Sequence, residues 1–345
     1  MDTTAGQERL PAGTNPDTRT LPGPGSISQK AARWLFPAAA ALCLTPWLTP
    51  PTALALGIVL ALAVGNPYAA ITRTASKWLL QICVVALGFG MNLDSVAEAG
   101  LHGFWFAAGG ITITCAAGYV LGRWLGMDRK VTALVSVGTA ICGGSAIAAA
   151  GSVMEADAGE MSVALGTVFM LNAVALYAFP LLGHLIGMNQ DQFGTWAGVA
   201  IHDISSVVGA ASHYGNRALQ VATAVKLSRA LWIVPVTIVI SMWHRRANKA
   251  AGIESPRRVR LPIPWFIGLF LIASLLRTLV PGVAQAAPSV THVAEHGLTL
   301  TLFLIGGGLV RETLKSVGPR PLLLGVVLWL GISAGSLPLV LHMAA

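Results

Sequence analysis

The sequence predicts an all-α polytopic membrane protein, and three observations carry that reading. Of 345 residues, 54% are hydrophobic and only 10% are charged, with a mean hydropathy of +0.69. An average soluble protein carries about 25% charge, so too few charges are present to clothe a water-facing surface of this size. Second, eleven apolar segments recur, near 34–48, 52–65, 76–93, 103–122, 131–152, 160–186, 194–213, 220–243, 263–280, 293–310 and 320–343. Third, threading these alternately from a cytoplasmic N-terminus puts 18 of the 22 Lys and Arg on the cytoplasmic side, with Arg217 alone opposite and Lys226, Arg229 and Arg277 inside segments. That asymmetry satisfies the positive-inside rule. It predicts a multi-pass protein of the inner (plasma) membrane with an outside C-terminus. The net charge of +8 is spread over loops, where it sets topology and excludes a nucleic-acid partner.

The elements follow in order. Residues 1–32 are polar and rich in Pro, Gly and Thr (Pro11, Pro16, Pro22, Pro24), the composition of a disordered tail; no apolar core follows an early basic start, as a signal peptide would need. Residues 33–345 then form one transmembrane domain, with a basic cytoplasmic loop at 244–262. Segments one and two are shorter than the roughly 20 residues that cross a bilayer upright, and Pro50-Pro51 divides them. Cys43, Cys83, Cys115 and Cys142 lie in apolar runs without a C-x-x-C pair, as buried inert thiols do. No metal or cofactor is implied. Trp47, Trp78, Trp124 and Trp243 fall near segment ends, the place of interfacial anchors.

Segment five reads Gly138-Thr-Ala-Ile-Cys-Gly-Gly-Ser145-Ala-Ile147, and segment seven Gly198-Val-Ala-Ile-His-Asp-Ile-Ser205-Ser-Val207, an echo at an offset of 60. A fainter echo joins Leu87–Asp94 to Ile305–Glu312. Inverted internal repeats with discontinuous helices mark many secondary transporters. The charge split leaves one alternative open. If segments five and seven each enter and leave on the same side, as re-entrant hairpins, the basic residues divide the same way. Irregular backbone at membrane depth is tolerated where it lines a cavity.

A charge at bilayer depth costs at least about 2.5–3.5 kcal/mol, yet this chain places several there. His202 and Asp203 sit inside segment seven, Asn172 in six, and Lys226 and Arg229 three residues apart in eight. Lys226 and Arg229 are expected to attract an anion. Ser145, Ser205, Ser206 and the backbone of Cys142, Gly143 and Gly144 would offer donors, because half-helix N-termini attract anions. The glycines at 306–308 are a further place where a helix could break. His202, Asp203 and Asn172 are candidates for coupling to H+ or Na+, since His titrates near neutral pH. The alternative for Asp203 is an ion pair with Lys226 or Arg229 that fixes helix packing.

At these residues the chain resembles the YeiH-like family of membrane proteins, which carry the label sulfate exporter. The matching stretches are Leu87-Gly-Phe-Gly-Met-Asn-Leu93, Ala140-Ile-Cys-Gly-Gly-Ser-Ala-Ile147, His202-Asp-Ile-Ser-Ser-Val-Val208, Val225-Lys-Leu-Ser-Arg229 with Pro235, and Ile305-Gly-Gly-Gly-Leu309 with Arg311-Glu312. The likeness runs from about residue 33 to 343. The family is similar to the cation–proton antiporter and bile-acid symporter superfamily. That resemblance implies a panel domain, a core domain and crossing discontinuous helices, and a small anion such as sulfate as the substrate. Its partners would be that anion, a coupling ion, the lipid bilayer and a second copy in a homodimer.

Two other classes compete. Gly143-Gly144-Ser145-Ala146 resembles the G-x-S of rhomboid-like serine proteases, with His202 or His213 as base, and His292-Val-Ala-Glu295-His296 spells the H-x-x-E-H of some zinc hydrolases. Eleven segments are too many for the first fold, and the second motif lacks a third ligand and lies at the mouth of segment ten. A channel would need a continuous pore, commonly ringed by like residues; paired echoes within one chain favour alternating access. The expectation is therefore a transporter and not an enzyme.

Overall fold

The computed structural model describes residues 26–45, 47–250, 265–308 and 317–343. The regular elements among the described residues are all helices. They are α1 (Ser26–Leu42), α2 (Pro50–Ala63), α3 (Ala69–Gly88), α4 (Leu93–Trp124), α5 (Arg129–Ala140), α6 (Gly144–Val153), α7 (Ala158–Ile186), α8 (Gln190–Ala200), α9 (Ile204–Tyr214), α10 (Asn216–Ala230), α11 (Ile233–Ala250), α12 (Trp265–Leu279), α13 (Pro281–Gly307) and α14 (Pro319–Met343). Each of the eleven apolar segments is therefore helical. Segments five, seven and eight each comprise two helices. Four stretches are long and apolar enough to cross a bilayer by themselves: Ala69–Gly88, Ala158–Ile186, Asn216–His244 and Pro319–His342. Helix α1 starts at Ser26, inside the predicted tail; the rest of that tail, most of the basic loop and the end of the fainter echo lie outside the described residues.

The chain decides between crossing and re-entry at segments five and seven, and both fold back. At the base of the first, the Lys130 ammonium donates to the carbonyl of Glu155 at 3.0 Å and lies 3.7 Å from Glu160. The start of α5 thus touches the end of α6. At the base of the second, Gln190 Oε1 accepts from the backbone N–H of Arg217 at 3.0 Å, and Arg217 pairs with Asp191 at 2.8 Å. Tyr214 stacks on Phe193 with centroids 3.8 Å apart, and its hydroxyl donates to the Met188 carbonyl. Here the start of α8 touches the end of α9. Straight crossing helices would hold these residues tens of ångströms apart, at 1.5 Å of rise per residue.

Helix α7 separates the two bases. It begins beside Glu155 and ends beside Met188, and its 29 residues span about 43 Å. The hairpins therefore enter from opposite ends of α7, and each arm of 10 to 12 residues reaches about half that length. Local chemistry builds both alike. A left-handed glycine ends the preceding helix (Gly126 φ 63°, Gly187 φ 75°), followed by Met and an Asx N-cap. Asp128 accepts from the N–H groups of Lys130 and Val131, and Asn189 accepts from that of Gln192. The Gly-Met-Asx turns lie 61 residues apart, beside the offset of 60 for the tips.

Packing forms two groups of helices. Helices α2, α3, α12 and α13 pack on one another, with α1 at their side. Helices α4, α7, α10, α11 and α14 surround the hairpins, and α9 touches α2 and α13 between the groups. The glycines at 306–308 break nothing up to Gly307, since α13 runs through it, and a Cβ at Gly306 would meet the Leu54 carbonyl at 2.5 Å. They let α2 and α13 touch, the usual service of small residues between membrane helices.

Candidate functional site

The hairpin tips meet. A Cβ placed on Gly143, the turn of the first hairpin, would stand 3.5 Å from the Cβ of Asp203 in the turn of the second. Gly143 has φ 65° and ψ −124°, a conformation essentially reserved for glycine. Its N–H donates to the Gly138 carbonyl at 2.8 Å, the six-to-one bond that closes many helices. The second tip turns differently, through extended Ile201 and Asp203.

The echo at offset 60 puts matching sequence positions at matching helix ends, although the two turns differ in backbone conformation. Ile141 and Ile201 cap the C-terminal ends of α5 and α8; Gly143 and Asp203 precede the N-terminal ends of α6 and α9. Ser145 and Ser205 stand two residues further on.

Each tip leaves carbonyls unpaired by its own helix, and α10 answers them. The Arg229 guanidinium donates through Nη1 to the Val199 carbonyl and through Nη2 to the Ala140 carbonyl. One side chain thus ties both hairpins. The Lys226 ammonium donates to the Ile201 carbonyl. Both are sealed from solvent, at 0% exposure for Lys226 and 1% for Arg229. Buried cations need compensation, and the half-helix C-termini supply it: each carries roughly −0.5 elementary charge, directed at the cation. Helix α10 comes this close because α8 presents Gly194 and Gly198, where a Cβ would meet the Ala218 carbonyl at 2.8 Å and Val225 at 2.9 Å.

This changes the expected division of labour. Lys226 and Arg229 do reach the broken helices, but their hydrogen bonds go to backbone. No salt bridge joins either to Asp203 among the described residues. The carboxylate of Asp203, half-buried, instead accepts from the Ser205 hydroxyl. Cys142, Gly143, Ser205 and Ser206 are buried at the tips, Gly144 is half-buried, and Ser145 is exposed. Arg277 belongs elsewhere, bonded to Asn92 near the end of α12.

Three polar side chains around the tips are buried without a hydrogen-bond partner among the described residues: both ring nitrogens of His202, both amide atoms of Asn172, and the Thr139 hydroxyl. Asn172 lies on one face of α7 between Val168, which packs against Gly143, and Leu176, which packs against Gly209. Native interiors leave few such groups unanswered. Thr139 gave no signal in the sequence beyond its place in the echo.

The rival sites read differently. His202 makes no hydrogen bond to Ser145. His292 and His296 lie with ring centroids 4.6 Å apart, and His296 Nδ1 stands 2.9 Å from the His292 carbonyl. Among the described residues no three His, Cys, Asp or Glu side chains cluster as metal ligands. Glu295 instead lines a small cavity of about 110 Å³ with Gly90, Asn216, Gln220 and Thr223, between α3, α10 and α13.

The sequence profile described as "Conserved hypothetical protein 698" matches residues 37–325. A UPF0324 membrane protein of Bdellovibrio bacteriovorus is 49% identical over 312 residues, covering 90% of this chain and 95% of that protein. One from Porphyromonas gingivalis is 50% identical, covering 86% and 88%, and one from Geobacter sulfurreducens 46% identical, covering 88% and 94%. No solved structure gives a significant match.

Proposed function

The chain belongs to the family of conserved hypothetical protein 698, the UPF0324 membrane proteins, and on that premise and the paired hairpins we propose that it is a secondary active transporter of a small oxyanion, sulfate or a related sulfur oxyanion, working by alternating access. The observation that carries the reading is the pair of opposed re-entrant hairpins whose tips one buried arginine ties together. Such a site, built by inverted halves and reached from either side, is the construction secondary transporters use.

In this reading nine segments cross the inner membrane, and segments five and seven are the hairpins. The first enters from the cytoplasm, where Arg123, Arg129 and Lys130 surround its base; the second enters from outside, where the base carries Arg217 paired to Asp191. The N-terminus is cytoplasmic and the C-terminus outside. Lys226 and Arg229 hold the C-terminal ends of α5 and α8 and keep the site positive. The N-terminal end of α6, at Gly144 and Ser145, offers backbone N–H groups to the anion, and Ser206 a hydroxyl. Asp203, His202 and Asn172 take the coupling ion, H+ or Na+. The small cavity at Gln220, Thr223 and Glu295 forms the outer end of the route, with Thr223 about one turn before Lys226.

The test is uptake of labelled sulfate, sulfite and thiosulfate into proteoliposomes, with and without an imposed pH or Na+ gradient. Gradient-driven accumulation above empty liposomes is expected for at least one of them. Failure of all three under both gradients would remove sulfur oxyanions as the substrate class.

A further inference from the structure

A second cavity opens on the flank of the first hairpin. It is a groove of about 600 Å³ between α4, α5 and α11. Its walls are apolar, from Ile111 and Cys115 on α4, Val137 on α5, Val236 on α11 and Trp232 in the turn before α11. It opens sideways through Tyr119, Val239 and Trp243, which are 55%, 65% and 58% exposed. In a membrane-embedded chain that opening faces lipid, not water.

The groove has a polarity. At one end stand Arg123 and Arg129, both exposed, and neither pairs with an acid among the described residues. They lie at the base of the first hairpin, with Trp243 beside them at the level interfacial tryptophans occupy. The other end is capped by Trp232, whose ring stacks on Phe104 at 4.7 Å. From Trp232 to Trp243 the α11 wall runs eleven residues, about 16 Å. That is half the roughly 30 Å hydrocarbon thickness of a bilayer, one leaflet deep.

We propose that this groove is a binding site for an anionic phospholipid of the leaflet at the first hairpin's base, with one acyl chain along α11 and the phosphate between Arg123 and Arg129. Charge complementarity selects the head group, since basic pockets between membrane helices recognise anionic lipids. Groove length and apolar walls select a chain-bearing molecule over a free phosphate. Because α5 is one wall, the lipid leans directly on the first hairpin and braces it. The inference needs only the membrane setting and does not rest on the transport reading.

Native mass spectrometry of the full chain in detergent, titrated with phosphatidylglycerol or phosphatidylcholine of matched chains, tests it. One phosphatidylglycerol should be retained with about 30-fold preference, from the attraction expected of two arginines. Arg123→Ala with Arg129→Ala should erase the preference. Val239→Trp, at a position 65% exposed, should block the groove and lower retention of both lipids, with an unchanged melting temperature showing that the variant is folded. Glycerol phosphate should not compete. Equal retention of the two lipids, unchanged phosphatidylglycerol binding in Val239→Trp, or competition by glycerol phosphate would each overturn the proposal.

Discussion

Replacing Arg229 tests whether it binds the hairpins or an anion. In the structure its two terminal nitrogens satisfy the carbonyls of Ala140 and Val199, on different hairpins. Arg229→Met keeps most of the volume and leaves both carbonyls buried and unanswered. Each costs about 1–3 kcal/mol, so the loss is roughly 2–6 kcal/mol out of the 5–15 kcal/mol typical of a folded domain. Arg229→Lys offers one ammonium in place of a fork. It can serve one carbonyl well and should lose about half as much. The assay is thermal unfolding in detergent combined with hydrogen exchange. Protection should fall at residues 138–143 and 199–204 and hold at the hairpin bases, which Lys130 and Gln190 fasten independently. If Arg229→Met keeps its melting temperature and its protection at both tips while anion binding vanishes, the arginine is a substrate ligand, and the capping argument fails.

Further outcomes follow from the same geometry. Lys226→Met should raise exchange at residues 201–203 alone, since its one bond is to the Ile201 carbonyl; a rise of equal size at the first tip would contradict that assignment. Gly143→Ala should cost about 1–3 kcal/mol because only glycine adopts φ 65° with ψ −124° cheaply, whereas Gly144→Ala meets only ordinary contacts from 3.5 Å outward and should melt as the parent does. Asp203→Asn removes the one carboxylate at the tips and should flatten the pH dependence of flux; an unaltered profile would make Asp203 structural. Cysteines introduced as Glu155→Cys and Asp191→Cys should react with an impermeant maleimide from opposite faces of oriented vesicles. Labelling of both from one face would refute opposed hairpins.

The membrane class and every helical segment were legible because burial in lipid writes itself into composition: an apolar run must satisfy its own backbone, and only a helix does so locally. Which side each segment returns to was not. Loop charges are blind to it, since two hairpins flanking one crossing helix leave the basic residues on the same sides as three crossings do. The information lay in short polar contacts between residues 25 to 28 apart, Lys130 to Glu155 and Gln190 to Arg217 and Ala218, and no periodicity encodes those. The paired Gly-Met-Asx turns were visible in principle, as a glycine before an N-cap residue is a helix stop followed by a helix start.

Lys226 and Arg229 show why the site was half legible. A cation in an apolar segment announces a buried partner, and the obvious partner in the sequence is the one acid nearby, Asp203. The partners in the structure are backbone carbonyls, which every residue carries and no residue type signals. What exposes carbonyls at that depth is a pair of broken helices; the first break was readable in Gly143-Gly144, while the second, at His202-Asp203, carries no glycine to announce it. The cations and the breaks are thus one feature: an interrupted helix end is stable in lipid only if something charged or polar meets it, and a buried lysine or arginine is stable only if something electron-rich meets it. Neither half would persist alone. Their pairing on α10, a helix reaching from the second hairpin's base past the tips, leaves Asp203 without a salt bridge to either cation among the described residues.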